Sequence, residues 1–303
     1  NPPTINGPCF DRKAELARTS LVDWGINGGV TPEWHPETLF DRPIFALGEV
    51  FLADSTGDMG IDEALFETAL EEAQAAGVVT TVHAENPDYF DQAVTDRDDA
   101  AAWSAYRPAQ AEVVAIATAV ETAAELDVDV HIAHASTPEG IDQAAAAGAT
   151  TEVTPHHLFF STEDSAHLGT FGRMNPPLRD EERRLGVYDR VADGTVDVIA
   201  TDHAPHTREE KDTDIWSAPS GVPGVETALP LLLGEVIEGR LDRERVRDLT
   251  AGNPARIFDL PRKGQIEAGA DADLVLFDPE VTREIRGKDL HGKTDWTPFE
   301  GLT

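Results

Sequence analysis

The chain has 303 residues, is 40% hydrophobic and carries a formal charge of −33, which suits one large α/β domain or a barrel with a small appendage and excludes general disorder. That charge opposes contact with a nucleic-acid backbone or an anionic membrane surface, so small molecules and metal ions are the expected partners, with a homo-oligomer left open. The single cysteine, Cys9, excludes an internal disulfide and a Cys-based zinc cluster and suits a reducing cytoplasm, and no apolar run approaches the roughly 20 residues of a spanning helix.

Six strands are predicted in chain order, over 21–26, 44–53, 78–84, 128–135, 150–154 and 196–201. Between them the apolar residues of 61–76 recur at helical spacing, and 109–126, rich in Ala, Val and Ile, follows Arg107-Pro108 as a second helix. Helices over 225–238 and 243–249 come after the sixth strand, and Asn253-Pro254 opens a further short helical segment. Short apolar runs alternating with longer helical ones are the pattern of βα units around a parallel sheet. A closed parallel barrel needs eight strands and carries its chemistry at their C-terminal ends, so two strands are expected to precede Asn1. The competing architecture is a six-stranded open doubly wound sheet. No Gly-rich phosphate turn follows the first strand, as that fold often provides. The expected organisation is therefore a TIM-type (β/α)8 barrel over 1–259, lacking its first two strands. Residues 260–303, where a turn-rich stretch from Gly264 leads into the strand-like Asp273-Leu-Val-Leu-Phe277, form part of a small, incomplete β appendage.

Acidic residues are spread along the chain, for example Asp62, Glu63, Glu71, Glu72, Asp96, Asp98 and Asp99, whereas lysines are few: Lys13, Lys211, Lys263, Lys288 and Lys293. This is a salt-adapted surface. The screening length falls to about 3 Å in 1 M salt, where neighbouring carboxylates no longer repel strongly and their hydration favours solubility.

Three segments place polar residues at the ends of apolar strands: the run ending His83-Ala-Glu85, the run Val130-His131-Ile-Ala-His134-Ala-Ser136, and Val198-Ile-Ala-Thr-Asp202-His203-Ala-Pro-His206. One such histidine is usually a core or rim residue. Three strand ends that converge at a barrel mouth, with imidazoles and a carboxylate and no sulfur, suit zinc or a similar divalent ion. His131 and His134 are three apart and point to opposite faces of a strand. We assign His134, nearer the C-terminal mouth, as the ligand and His131 a structural role.

In this order and spacing, His83-Ala-Glu, His-Ile-Ala-His134-Ala-Ser, Glu152-Val-Thr-Pro-His-His-Leu, Met174-Asn-Pro-Pro-Leu-Arg, Ala200-Thr-Asp-His-Ala-Pro-His206-Thr, Gly221-Val-Pro-Gly-Val-Glu-Thr, Asn253-Pro-Ala-Arg-Ile-Phe and Trp296-Thr-Pro-Phe-Glu-Gly resemble the motif series of the dihydroorotases in the amidohydrolase superfamily. The resemblance covers nearly the whole chain. It implies a TIM barrel whose metal site holds one or two ions, zinc or another divalent metal. His83 and His134 match its two later histidine ligands and Asp202 its aspartate. The family's His-x-His pair is expected upstream of Asn1, and without it this fragment alone is expected to be inactive. The family's carboxylated lysine corresponds to Glu49 in Ala46-Leu-Gly-Glu49-Val-Phe-Leu52. Glutamate offers a similar oxygen pair on a shorter stem, so Glu49 would bridge two ions, serve a single ion, or orient another ligand. By the same resemblance Asn175 and His206 would hold the ring and carboxylate of the substrate, and the backbone around Ser220 and Gly221 would bond the ring amide. Glu152, His156 and His157 are expected to hydrogen-bond behind the ligands.

The implied chemistry is reversible hydrolytic ring opening of dihydroorotate to N-carbamoyl-aspartate, with Asp202 as base and then acid. Two readings compete: a hydantoinase or allantoinase, which shares the ligands but not the substrate loops, and a catalytically silent homologue serving as a structural partner.

Overall fold

The computed structural model describes residues 3–53 and 59–303. Six strands pair in parallel in the order β2-β1-β3-β4-β5-β6: β1 Leu47–Ala53, β2 Gly60–Ile61, β3 Thr80–Glu85, β4 Val130–Ile132, β5 Thr150–Val153 and β6 Val198–Ile199. Parallel neighbours need long crossovers, and the helices Glu63–Ala76, Ala109–Leu126, Pro138–Ala146 and Glu181–Asp193 fall in the successive links from β2 to β6. This is the βα alternation expected from the sequence. Among the described residues no helix is long and apolar enough to cross a membrane.

Two strand expectations are corrected. The run 21–26 forms no strand: Leu21 is fully exposed, Val22 largely so and Trp24 nearly half. With nothing covering these side chains, pairing would bring no burial to offset the entropy of ordering. The backbone joins β1 only later, through a bridge between Gly28 and Leu47. Conversely, Gly60–Ile61 pairs with Phe51 and Leu52, although residue 61 reads as the start of a helix. Two residues are too few to show a period.

The chain divides into two compact units. The first comprises Asn1–Asp88, Ala111–Ala133 and Asp142–Thr151. Its central strand β3 is buried at every position, as befits a parallel strand covered on both faces. The helix Glu63–Ala76 begins where the Asp62 carboxylate accepts from Leu65 N at 2.9 Å and ends at Gly77 with φ 67°, an N-cap and a left-handed C-cap. It buries Phe66, Ala69, Leu70 and Ala73, one helical face. Each large apolar side chain so buried contributes about 1.5–3 kcal/mol, so packing decides this helix more than propensity does. At Gly48, φ is +143° and a Cβ would lie 2.1 Å from Thr81 Oγ1 and 2.4 Å from Thr81 O. Only glycine permits this approach of β1 to β3, one residue before Glu49.

The second unit comprises Tyr89–Gln110, His134–Ile141 and Glu152–Thr303. Its core gathers Phe160, Leu168, Met174, Leu178, Val222, Leu231, Trp296 and Phe299, with the Phe160 and Phe299 rings stacked at 5.3 Å. The aromatic residues of the Trp296-Thr-Pro-Phe299 motif are thus core residues. The strand expected after Gly264 does not form among the described residues, and Leu274, Val275 and Leu276 are exposed. The reason is the same as for 21–26: an apolar run without a covering layer.

Candidate metal centre and substrate-side network

In the first unit, β1 and β3 run side by side with Phe51 opposite His83. The His83 ring is buried, with the Phe51 ring 5.0 Å away. Carboxylates approach both of its nitrogens: Nδ1 lies 3.8 Å from Glu49 Oε2, and Nε2 lies 3.3 Å from Glu85 Oε2. Glu85 is completely buried. A carboxylate behind an imidazole fixes the ring and raises its basicity toward a metal on the other nitrogen. Sequence reasoning gave Glu85 no role, yet the signal was present: an acidic residue two positions after His83 on a strand shares its face.

β4 continues past Ile132, with Ala133 N bonded to Val82 O at 3.0 Å, and His134 is the next residue. His131 is fully buried, with Nδ1 2.8 Å from Thr150 Oγ1, which agrees with a structural role. In the first unit Glu49 and His83 lie side by side as candidate metal ligands, and His134 is the first residue of a segment of the second unit. Two buried imidazoles and a half-buried carboxylate, without sulfur, are a donor set that fits zinc or a similar divalent ion. Of the four expected ligands, Glu49 and His83 are thus neighbours within one unit.

In the second unit, Asp202 lies three residues beyond β6 and has φ 42°, while His134 has φ 35°. The other non-glycine residues with positive φ, Asp127 and Asp259, follow helices, where a left-handed residue is ordinary. At a strand end it is not. Strained backbone of this kind concentrates at functional sites. The expected hydrogen bonding behind the ligands holds for His157, whose Nδ1 is 2.8 Å from Thr154 Oγ1 and whose Nε2 is 3.0 Å from Pro176 O. His156 stays neutral, well below the usual histidine range, because it is buried and lies near His157 and His134.

Three of the four residues expected on the substrate side meet through direct hydrogen bonds, and the fourth, Gly221, follows Ser220 in the chain. Ser220 Oγ donates to Asn175 Oδ1 at 3.2 Å, and His206 Nε2 lies 3.0 Å from Ser220 O. Because a carbonyl only accepts, that His206 nitrogen carries the proton. Gly221 N donates to Arg173 O at 3.0 Å. Gly221 has φ +124°, and a Cβ there would lie 2.6 Å from Ala204 Cβ, so the close turn requires glycine. Two supporting residues were missed from sequence. Lys211, fully buried, donates from Nζ to the carbonyls of Arg173, Pro219 and Gly221 at 3.0, 2.9 and 3.2 Å. Burial, with the Arg173 guanidinium nearby, lowers its pKa to about 7. His203 Nδ1 accepts from Gly224 N and Val225 N at 3.1 and 3.3 Å and pins the following turn; burial keeps its pKa below the usual histidine value.

Residues 52–301 match the sequence model of the amidohydrolase family. The chain belongs to the amidohydrolase family. It is 64% identical over 301 residues to a dihydroorotase from Halobacterium salinarum, covering 99% of this chain and 71% of that protein. It is 42% identical to a dihydroorotase from Methanosarcina mazei, over 99% of this chain and 70% of that protein. Among solved structures, the L-hydantoinase (dihydropyrimidinase) from Arthrobacter aurescens superposes with a TM-score of 0.94 at 28% identity, covering 99% of this chain and 71% of that one. The six parallel strands are thus those of an amidohydrolase TIM-type barrel. The acidic composition accords with a relative from Halobacterium.

Proposed function

We propose that the chain serves metal-dependent, reversible ring opening of dihydroorotate to N-carbamoyl-aspartate in pyrimidine biosynthesis, as part of the protein to which it belongs. The observation that carries this reading is the 64% identity to a dihydroorotase over 99% of the chain. The donor set of Glu49, His83 and His134 supplies the chemistry it needs.

Glu49, His83, His134 and Asp202 are assigned to the metal, which we take to be zinc, as one or two ions. When bound, a divalent ion acidifies water and polarises the amide carbonyl. Glu85, whose Oε2 lies 3.3 Å from Nε2, would keep the His83 ring with Nδ1 on the Glu49 side. Asp202 takes a proton from the attacking water and returns it to the ring nitrogen as the amide bond breaks. Asn175 and His206, with the backbone of Ser220 and Gly221, hold the ring and its carboxylate. Residues 1–259 are assigned to the barrel and 260–303 to part of an appendage, whose exposed Leu274, Val275 and Leu276 would pack against further β structure. We place the enzyme in the cytoplasm and leave a homo-oligomer open.

Two measurements test the proposal. Zinc content by elemental analysis should fall by at least about half in Glu49→Ala, and unchanged occupancy removes Glu49 from the ligand set. The full-length protein should open dihydroorotate in preference to hydantoin and allantoin. A second reading, a hydantoinase, is favoured by the hydantoinase superposition. Turnover of hydantoin with none of dihydroorotate would establish it, and a metal-free protein without ring opening would establish a silent homologue.

A further inference from the structure

An asparagine amide has an accepting end and a donating end, and which end faces a ligand decides what it selects. Asn175 Oδ1 lies 3.0 Å from Trp103 Nε1 and 3.2 Å from Ser220 Oγ. An indole N–H can only donate, so the end of the amide that faces it is the oxygen. The opposite orientation would set donor against donor. Both Oδ1 lone pairs are then occupied, and the Asn175 nitrogen is left as the end to be offered elsewhere.

Trp103 is held firmly enough to impose this choice. Its Nε1 is shared with Met174 O, also at 3.0 Å. The Arg173 guanidinium lies 3.7 Å from its ring centroid, and Arg173 Nη1 is anchored on Ile215 O at 2.6 Å. The Tyr106 and Trp216 rings flank it at 5.6 and 5.9 Å, and Trp216 Nε1 is tied to Arg97 O at 2.6 Å. Stacking against a guanidinium and two aromatic rings is the kind of contact that keeps a side chain in one rotamer.

We propose that Trp103 is a positioning residue: it locks the Asn175 amide with its nitrogen toward the bound ring, so that the site selects a ligand presenting an acceptor oxygen there, a carboxylate or a ring carbonyl. This rests on the assignment of Asn175 to the substrate side made above.

The test is a double-mutant cycle on the full-length protein with dihydroorotate, using Trp103→Phe, Asn175→Ala and the pair. Trp103→Phe should raise KM about tenfold, the equivalent of one hydrogen bond, and change kcat by less than about threefold. The double variant should be no worse than Asn175→Ala alone, because the two act as one unit. Effects that add, or a fall in kcat at unchanged KM, would overturn the proposal. If Trp103→Phe folds poorly, benzothienylalanine at 103 keeps the shape and removes only the N–H, and the same outcomes apply. The ligand-free protein gives a separate reading: the Trp103 indole N–H resonance should shift in Asn175→Ala, and an unmoved resonance would remove the hydrogen bond itself. Wild-type protein that binds no dihydroorotate while that resonance shifts would overturn the substrate assignment and leave the Trp103–Asn175 lock standing.

Discussion

The buried ammonium of Lys211 should make stability depend on pH in a way that one substitution abolishes. In the folded chain its pKa is lowered to about 7 from the ordinary 10.5, chiefly by burial and then by the Arg173 charge. Between those values the unfolded chain holds a proton that the folded chain has released, so stability rises with pH, by up to about 1.4 kcal/mol per unit. Below pH 7 both states hold the proton and the penalty of burying the charge is complete. From pH 7 to pH 9 the gain from this one group is about 2 kcal/mol. Lys211→Met removes the penalty, about 4 kcal/mol at pH 7, but strips the Pro219 and Gly221 carbonyls of their donor at about 1–3 kcal/mol each. Arg173 O retains its bond from Gly221 N. The two effects nearly cancel at pH 7, and the variant becomes the less stable of the two at pH 9. Urea unfolding of both proteins at pH 7 and pH 9 in high salt measures this. Parallel pH dependences in the two would refute the argument.

How far the sequence reached depends on what each inference rested on. Helical faces were legible: 109–126 forms as expected, Ala109–Leu126, because an unbroken Ala/Ile/Val pattern follows a proline that marks the start. Strands that bury both faces were legible within a few residues, as at β3. The runs 21–26 and 273–277 misled because apolar composition says that a segment would gain from burial, not that anything covers it. The ligand positions were read from strand ends, and within the first unit Glu49 lies beside His83. Their supports were not legible. Glu85 appears as one more acid in an acidic chain, and Lys211 sits in the charged run Arg208-Glu-Glu-Lys211, which reads as a solvated helix turn. Trp103 is 72 positions from Asn175. Such roles arise from tertiary contact, and no local period encodes them.

Two further outcomes are expected. Gly48→Ala must place a Cβ 2.1 Å from Thr81 Oγ1 at φ +143°; it should cost about 3 kcal/mol or more, read as a lowered unfolding midpoint, and an unchanged midpoint would mean that β1 and β3 are not so close beside Glu49. Removing salt should destabilise the protein, and here two effects compete. With 57 acidic residues against 24 basic ones, dilution lengthens screening from about 3 Å at 1 M to about 30 Å at 0.01 M and lets carboxylates repel across the molecule. The same dilution strengthens local pairs such as Arg183–Asp180 and Arg184–Glu181. Such exposed or half-exposed pairs contribute about 0–1 kcal/mol each, and more than half of the acids have no basic residue to pair with. Repulsion should therefore win. A net loss of about 4 kcal/mol corresponds to a fall in Tm of about 6 °C at this chain length. A Tm that holds or rises as salt is withdrawn would show that the local pairs outweigh the global charge.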